Sequence, residues 1–540
     1  MTLALHWNFA EDKSLVGRAG PVLDFARSAN VGTYFDSDGV MQTAAADTPR
    51  FGHNPLTLES LGLLIERERT NICVQSENLS ATWSNTRSVD TQAQGIAPDG
   101  TNSANKLTDD SSTGTNSVRI NQGVTLSTST SYAYSVYLKA DQLDWARLIV
   151  VGQGALAISA FFDLTNGVVG ATTGADNTSE FIQDVGNGWY RCTVVFDSDA
   201  ADTTGFIYVD VADANNDVVV ALDGTSSILV WGAQLEVAEY PTSYIKTVTT
   251  ALTSGADICN SDLIGEYYHL AQGTLYVAAY PNVEWDDAAN TIKTLCDFAN
   301  STGAHRFYAD IQGNGRPAVG TKFLTTFQSL QSVDEQASPL TLMRIAGAQQ
   351  VDDVKMYAQG TGSTGDTSAS IPASITHLNV GSIVTESLFA DAYISELRYY
   401  NERVPDAVLE DMSNGIFYQD TIFSNGTALL NDGMVSVVHV ASDYAGDAGD
   451  VFINGTRHTA TGLMYVNLLG LAGEPSVFIN GILHTHSGIR MVRMSGSGED
   501  WPEGFNTDAD GYQLTDTGLS TSYYIRGIAR QAGGDMPITF

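Results

Sequence analysis

SSILVWGAQLEVAEYPTSYI, residues 226–245, joins an apolar run carrying Trp231 to a proline and two tyrosines. Ile228, Val230, Leu235 and Val237 make this a strand, and Pro241 ends it: proline donates no ladder hydrogen bond and keeps Tyr240 out of helical space. Working backwards, SYAYSVYLKA, WARLIVV, AISAFFDLTNGVVGATT, GNGWYRCTVVFDS and TGFIYVDVA repeat the same β-branched and aromatic character, with Asn-Gly and Gly-rich turns between them. Strands at intervals of roughly ten to fifteen residues with no helical stretch predict a sandwich or jelly roll over residues 73–248, whose last strand closes at Pro241.

Working forwards, residues 255–414 begin again with GTLYVAAYPN, then HRFYADIQGNG and DDVKMYAQGTG, and end in ADAYISELRYYNERVPDAVLEDMSNG. A second sandwich is expected, closed by one short helix that Pro405 and Asp406 open, Val408, Leu409 and Met412 line, and Gly415 ends. Residues 1–72 read as an irregular lead, too short for its own core and so laid against a neighbour. In 415–540, VFINGTRHTATGLMYV (451–466) and VFINGILHTHSGIRMV (477–492) agree at nine of sixteen positions. Each copy places Asn-Gly after strand residues, which predicts stacked β-hairpins. The fold class is therefore all-β: two tandem jelly-roll sandwiches followed by a small hairpin-repeat domain.

Composition narrows the partners. The 540 residues include 26 basic and 62 acidic side chains, a formal charge of −36. Such a field repels phosphate backbones and anionic lipid surfaces, so neither nucleic acid nor membrane insertion is expected. No run of eighteen apolar residues occurs, and MTLALHWNFAEDKS lacks the form of a signal peptide, which places synthesis in a cytoplasm. Cys73, Cys192, Cys259 and Cys296 form no C-x-x-C pair and read as free, buried thiols. The nucleophile-elbow, zincin, P-loop and dinucleotide motifs are missing, so the chain reads as a binding protein rather than an enzyme; a pair of carboxylates for glycoside hydrolysis is beyond what sequence excludes.

Five segments in order, GLLIERERTN (62–71), APDGTNSANKLTDD (97–110), the Y-x-x-S-V-Y-L-K-A strand (132–140), GNGWYR (186–191) and WGAQLEVAEYPTSYI (231–245), resemble a β-sandwich module of bacteriophage head-spike, head-fibre and tail-fibre proteins that is similar to carbohydrate-binding modules. Lys246 after the closing tyrosine departs from that pattern. ADAYISELRYYNERVPDAVLEDMS resembles the end of a concanavalin- or laminin-G-like sandwich. The resemblance implies a virion-surface protein that attaches the particle to host surface polysaccharide, alongside other virion proteins and as a homo-oligomer, with a trimer favoured. A structural decoration or tail-tip part, and a capsule depolymerase, are the alternatives.

Saccharide contacts need aromatic faces and polar partners for hydroxyls. The candidates are Trp145, Tyr137, Tyr134, Asp141 and Asp144 in the first sandwich and Trp285 in the second; Trp189 and Trp231 read as core. No cofactor is required. Calcium would suit Asp286 and Asp287, although adjacent loop acids are more simply solvated. His484 and His486 share one strand face and could ligate a metal, but His458 and His484 occupy equivalent repeat positions, which favours a structural role.

Overall fold

The computed structural model describes residues 3–417 except 30, 153, 155, 282–290 and 325, and beyond 417 only short paired strands. Residues 3–415 form one compact unit and the C-terminal residues another. Almost every element is a strand, as expected, and the four cysteines are free and buried.

The first sandwich packs two antiparallel six-stranded sheets. One runs Asn177–Asp184, Trp189–Asp197, Ser131–Ala140, Ser227–Val237, Asn105–Asp109, Ser88–Thr91. The other runs Val168–Thr173, Ala157–Asp163, Trp145–Gly152, Thr204–Ala212, Val118–Thr125, Ser84–Thr86. Period-two side-chain alternation sends Val118, Ile120, Leu148, Val150, Ile207 and Val209 into the shared core, each fully buried. Every such side chain contributes roughly 1.5–3 kcal/mol.

Ser131–Ala140 and Ser227–Val237 are buried on both faces. Their second face carries Tyr137, Trp231 and Tyr244 with Trp189, and Met41 and Phe35 of the lead pack on that cluster. Trp231 and Trp189 are each 1% exposed, which agrees with their reading as core. Gly232 sits beside the register shift between Ser135 and Tyr137 with φ +62; a Cβ there would approach the Tyr137 ring to 2.9 Å, so only glycine lets the two aromatics share this face.

The strand does end before Pro241, at Val237. Residues 242–245 then turn back along it. Glu236 accepts from Thr242 N (2.8 Å) and Oγ1 (2.6 Å), Gln234 Oε1 accepts from Ile245 N (2.7 Å), and Arg191 Nη1 donates to Thr242 O (2.6 Å). Asn71 donates to Ala233 O (3.1 Å) and Ile245 O (2.8 Å). The polar residues of 62–71, 186–191 and 231–245 thus satisfy one another's buried groups.

The second sandwich takes strands from both sides of the first. Its eight-stranded sheet orders Thr361–Gly362, Asp353–Ala358, Met343–Gln350, Gln272–Pro281, Ala392–Tyr400, Ser60–Ile65, Phe51–His53, with Leu3–Asn8 also paired to Ala392–Tyr400. The seven-stranded sheet orders Asp24–Ala26, Ile258–Ser261, His377–Val380, Lys293–Ala299, Arg306–Ile311, Pro317–Phe323, Thr326–Ser332. Residues 1–72, read from sequence as irregular, therefore hold strands of this sandwich. Leu5, Trp7, Leu63 and Ile65 are fully buried in its core. Patches of three to six residues show no partner in sequence: Leu3–Asn8 and Ser60–Ile65 pair with Ala392–Tyr400, and Asp24–Ala26 with Ile258–Ser261, all far along the chain.

A buried charge cluster ties lead and sandwiches together. Arg50 pairs with Glu66 (2.9 Å) and Asp257, Arg27 with Asp257 (3.2 Å), and Glu66 also accepts from Ser243 N (2.8 Å) and Oγ (2.6 Å). Asp391 of the second sandwich receives Arg67 (2.6 Å), Lys293 (3.3 Å) and the hydroxyl of Tyr240 (2.5 Å) from the first sandwich's exit. The helix Asp406–Ser413 follows Pro405 and buries Leu409 and Met412, as its pattern predicts.

In the C-terminal unit Asp450–Ile453 pairs antiparallel with Thr456–His458, and Ser476–Ile479 with Ile482–Leu483. The two hairpins join through parallel pairing of Asp450–Phe452 with Ser476–Phe478, so one repeat completes the other's sheet.

Candidate functional site

Two of the aromatic candidates are not at a surface. Tyr134 is fully buried between the sheets of the first sandwich and Tyr137 is 2% exposed on the opposite face of the same strand. The ring of Tyr137 meets Trp231 at 5.4 Å and Tyr244 at 6.0 Å between centroids. Opposite parity places one of two such tyrosines inside; here the lead covers the other, and the crevice left beside Tyr137, lined by Tyr34, Met41, Arg191 and Tyr393, is too narrow for a sugar ring. Both are corrected to core residues.

Asp141 is exposed but committed: Lys106 Nζ lies 2.7 Å away and Ser227 Oγ donates at 2.7 Å, which closes the turn after Ser131–Ala140. Burial would raise its carboxyl, and these partners hold it below the usual carboxylate range. Asp144 is also exposed, and its backbone oxygen accepts from Leu164 N at 2.7 Å. Trp285, Asp286, Asp287, His484 and His486 lie outside the described residues. The HRFY segment is buried, with Tyr308 at 2% exposure.

Trp145 is different. It opens Trp145–Gly152, and because Ala146, Leu148 and Val150 point inward, Trp145, Arg147, Ile149 and Val151 face out. Its half-buried ring lies over Gly170, where an added Cβ would stand 2.6 Å from Cζ3. Register then lays out the rest of this face. Arg119, Asp210, Arg147 and Phe161 stand side by side across four strands; the next row is Asn121, Tyr208, Ile149 and Ser159; the next is Gly123, Phe206, Val151 and Ala157.

Asp210 anchors the face. It is fully buried beneath two guanidiniums that share its Oδ2: Arg147 Nε donates at 3.1 Å, and Arg119 Nη2 lies at 3.3 Å. Burial pushes the Asp210 carboxyl up, against the pull of Arg147 and Arg119. The guanidiniums in turn lie on rings, Arg147 5.3 Å from the Phe161 centroid and Arg119 5.7 Å from that of Tyr208. Phe206 is 48% exposed and stands 6.2 Å from Tyr208.

The result is a face of rings stiffened by two arginines whose Nη1 groups make no hydrogen bond among the described residues, while Arg119 Nε is buried beneath them. Sequence reading found only Trp145 of this set. TGFIYVDVA carried the signal, since Phe206, Tyr208 and Asp210 alternate with the inward Ile207, Val209 and Val211.

No family model matches the chain, and no curated protein does. Among solved structures it is similar to a Ruminococcus gnavus IT-sialidase CBM40 bound to alpha2,6 sialyllactose, at 16% identity over 27% of this chain and 84% of that one, with a TM-score of 0.23. It is similar to mouse laminin alpha1 chain domains LG4-5 at 9% identity, 54% and 88% coverage and a TM-score of 0.21. A heptameric SAP-like pentraxin from Limulus polyphemus matches at 11% identity, 27% and 70% coverage and a TM-score of 0.22. Likenesses this distant bear on neither ligand nor mechanism.

Proposed function

We propose that the chain is a non-catalytic saccharide-binding protein of a bacteriophage surface, and that it attaches the particle to host polysaccharide through the exposed face of the sheet holding Trp145–Gly152. The observation that carries this reading is the alignment of Trp145, Phe206 and Tyr208 with Arg119 and Arg147 on one open face. Rings of that kind stack on the apolar C–H faces of sugars, and guanidinium N–H groups donate to hydroxyl oxygens. Asp210 holds both arginines in place before a ligand arrives, which lowers the entropic cost of binding. The assignment to a virion rests on the five sequence segments that resemble phage spike and fibre modules. Weak single contacts suit such a setting, since many copies on one particle supply avidity.

A glycan array probed with the full chain, followed by titration of the best ligand, tests the binding reading. Replacing Tyr208 or Phe206 by Ala should weaken binding about three- to tenfold, the loss of one ring contact of ~0.5–1.5 kcal/mol. An array on which the wild-type chain retains nothing would sink the idea. Antibody labelling of particles checks the virion assignment separately. New reducing ends released from host capsule would replace a binding role with a hydrolytic one.

A further inference from the structure

We propose that the first sandwich carries a second saccharide site, separate from the sheet face, in a cleft at the exit of its closing segment, and that this site takes a neutral sugar. The cleft holds about 340 Å³ and is walled by Gln75, Asn78, Gln92 and Asn102 together with Glu77 and Lys246. Its size falls in the ordinary range of small-molecule sites. Four primary amides around one opening supply donors and acceptors in equal measure, which is what hydroxyls, acting as both, require.

Much of that capacity is unspent. Among the described residues the side chains of Gln75 and Asn102 make no hydrogen bond. Asn78 accepts from Ser80 N (3.2 Å) and from Gln92 through its Oδ1, and Gln92 Nε2 also donates to Ser80 Oγ (3.2 Å), which leaves Asn78 Nδ2 and Gln92 Oε1 open.

The frame beneath them is rigid. Gln75 N donates to Val248 O (2.7 Å), Thr247 N to Ser76 Oγ (2.9 Å), Trp231 Nε1 to Ser103 Oγ (2.9 Å) and Asn105 Nδ2 to Glu77 O (2.7 Å). The walls are thereby tied to the aromatic cluster and stand in place without a ligand.

Charge selects the class of sugar. Lys246 Nζ meets Glu77 Oε2 at 2.6 Å, and Tyr244 donates to Glu77 Oε1 at 3.2 Å, so the two charged groups of the cleft cancel. An anionic sugar would find no cation to spare and would face the field of a chain with formal charge −36. Lys246 is also the residue at which the closing segment departs from the phage-module pattern, and here it neutralises Glu77. No ring lines the cleft, so recognition rests on hydrogen bonds and single-sugar affinity belongs in the millimolar range.

The test titrates the full chain with glucose, galactose, mannose, N-acetylglucosamine and glucuronate, read by saturation-transfer NMR and calorimetry. The double variant Gln92→Ala, Asn102→Ala alters two exposed side chains and should melt as the wild type does. At least one neutral sugar is expected to bind, at least fivefold more weakly in this variant and within twofold of wild type in Tyr208→Ala. Silence from all four neutral sugars, or glucuronate as the tightest ligand, overturns the proposal. So does loss of neutral-sugar binding in Tyr208→Ala with the double variant unaffected, since that leaves the sheet face as the site. The face and the cleft can thus fail independently.

Discussion

Asp310, 3% exposed in Arg306–Ile311, shows what a single buried acid does to this fold. Burial lifts its carboxyl to about 7 against the pull of Arg306, and its Oδ1 has no partner. A carboxyl whose folded pKa lies above the unfolded value of about 3.9 favours the folded state as the neutral acid. That contribution is whole below about pH 4 and is lost as pH rises through 7. Asp310→Asn keeps the shape without the charge, so its stability relative to wild type should improve by on the order of 4 kcal/mol between pH 4 and pH 8. Urea denaturation at the two pH values checks this; a pH-independent difference would show that Asp310 does not titrate there. Such a group is not legible in the sequence, because HRFYADI shows strand character and, in 305–308, further candidates for a saccharide contact, but nothing that marks Asp310 as buried. For Trp145 and Tyr137 the limit was the same: both are aromatic strand residues, and cover from distant segments, Tyr244 and the lead among them, makes one of them core.

At the scale of an element, Ser60–Ile65 joins the eight-stranded sheet by way of Gly62. Its φ is +104, and a Cβ there would lie 2.2 Å from Ile394 O and 2.8 Å from Ser395 Cα. Gly62→Ala forces either the backbone or the pairing with Ala392–Tyr400 to give way, and should cost more than the ordinary 1 kcal/mol of a Gly-to-Ala change where φ is positive. Hydrogen exchange should show amides of 60–65 losing protection while those of Val118–Thr125 keep theirs. Unchanged protection at 60–65 would mean the close approach is not a constraint. The helix Asp406–Ser413 and the Asn-Gly hairpins were legible because their signals are local: a proline cap, a 3–4 spacing and a two-residue turn. The strands at Leu3–Asn8 and Ser60–Ile65 were not, since an isolated apolar hexapeptide gains its identity from the sheet it joins.

For residues 3–415 taken whole, the lead and both sandwiches meet at Asp391, which is held at about 2: burial alone would raise it, and Lys293, Arg67 and Arg69 outweigh burial. A depressed carboxyl stabilises the fold above its unfolded pKa near 3.9 and loses that contribution as pH falls through about 2. Acid unfolding should therefore steepen between about pH 4 and pH 2. Asp391→Asn should flatten that segment and cost ~3–5 kcal/mol near neutrality, where it strands buried cations; denaturant midpoints from pH 2 to 7 read both effects. A wild-type profile that is flat across that interval would remove Asp391 from the joint.

By itself the sequence determined the class and the local punctuation: strand after strand of period two, the stop at Pro241, the free cysteines, the closing helix and the paired hairpins. These follow from side-chain period, ring geometry and turn chemistry within a few residues of each position. Only the tertiary structure decided that the lead supplies strands to the second sandwich, that the segments 62–71, 186–191 and 231–245 lock one another, and that Arg119, Arg147, Tyr208 and Phe206 share a face with Trp145. Each of those facts is a register between segments that are distant along the chain. Register is set by which buried faces fit together, a property of the assembled core that no single stretch contains.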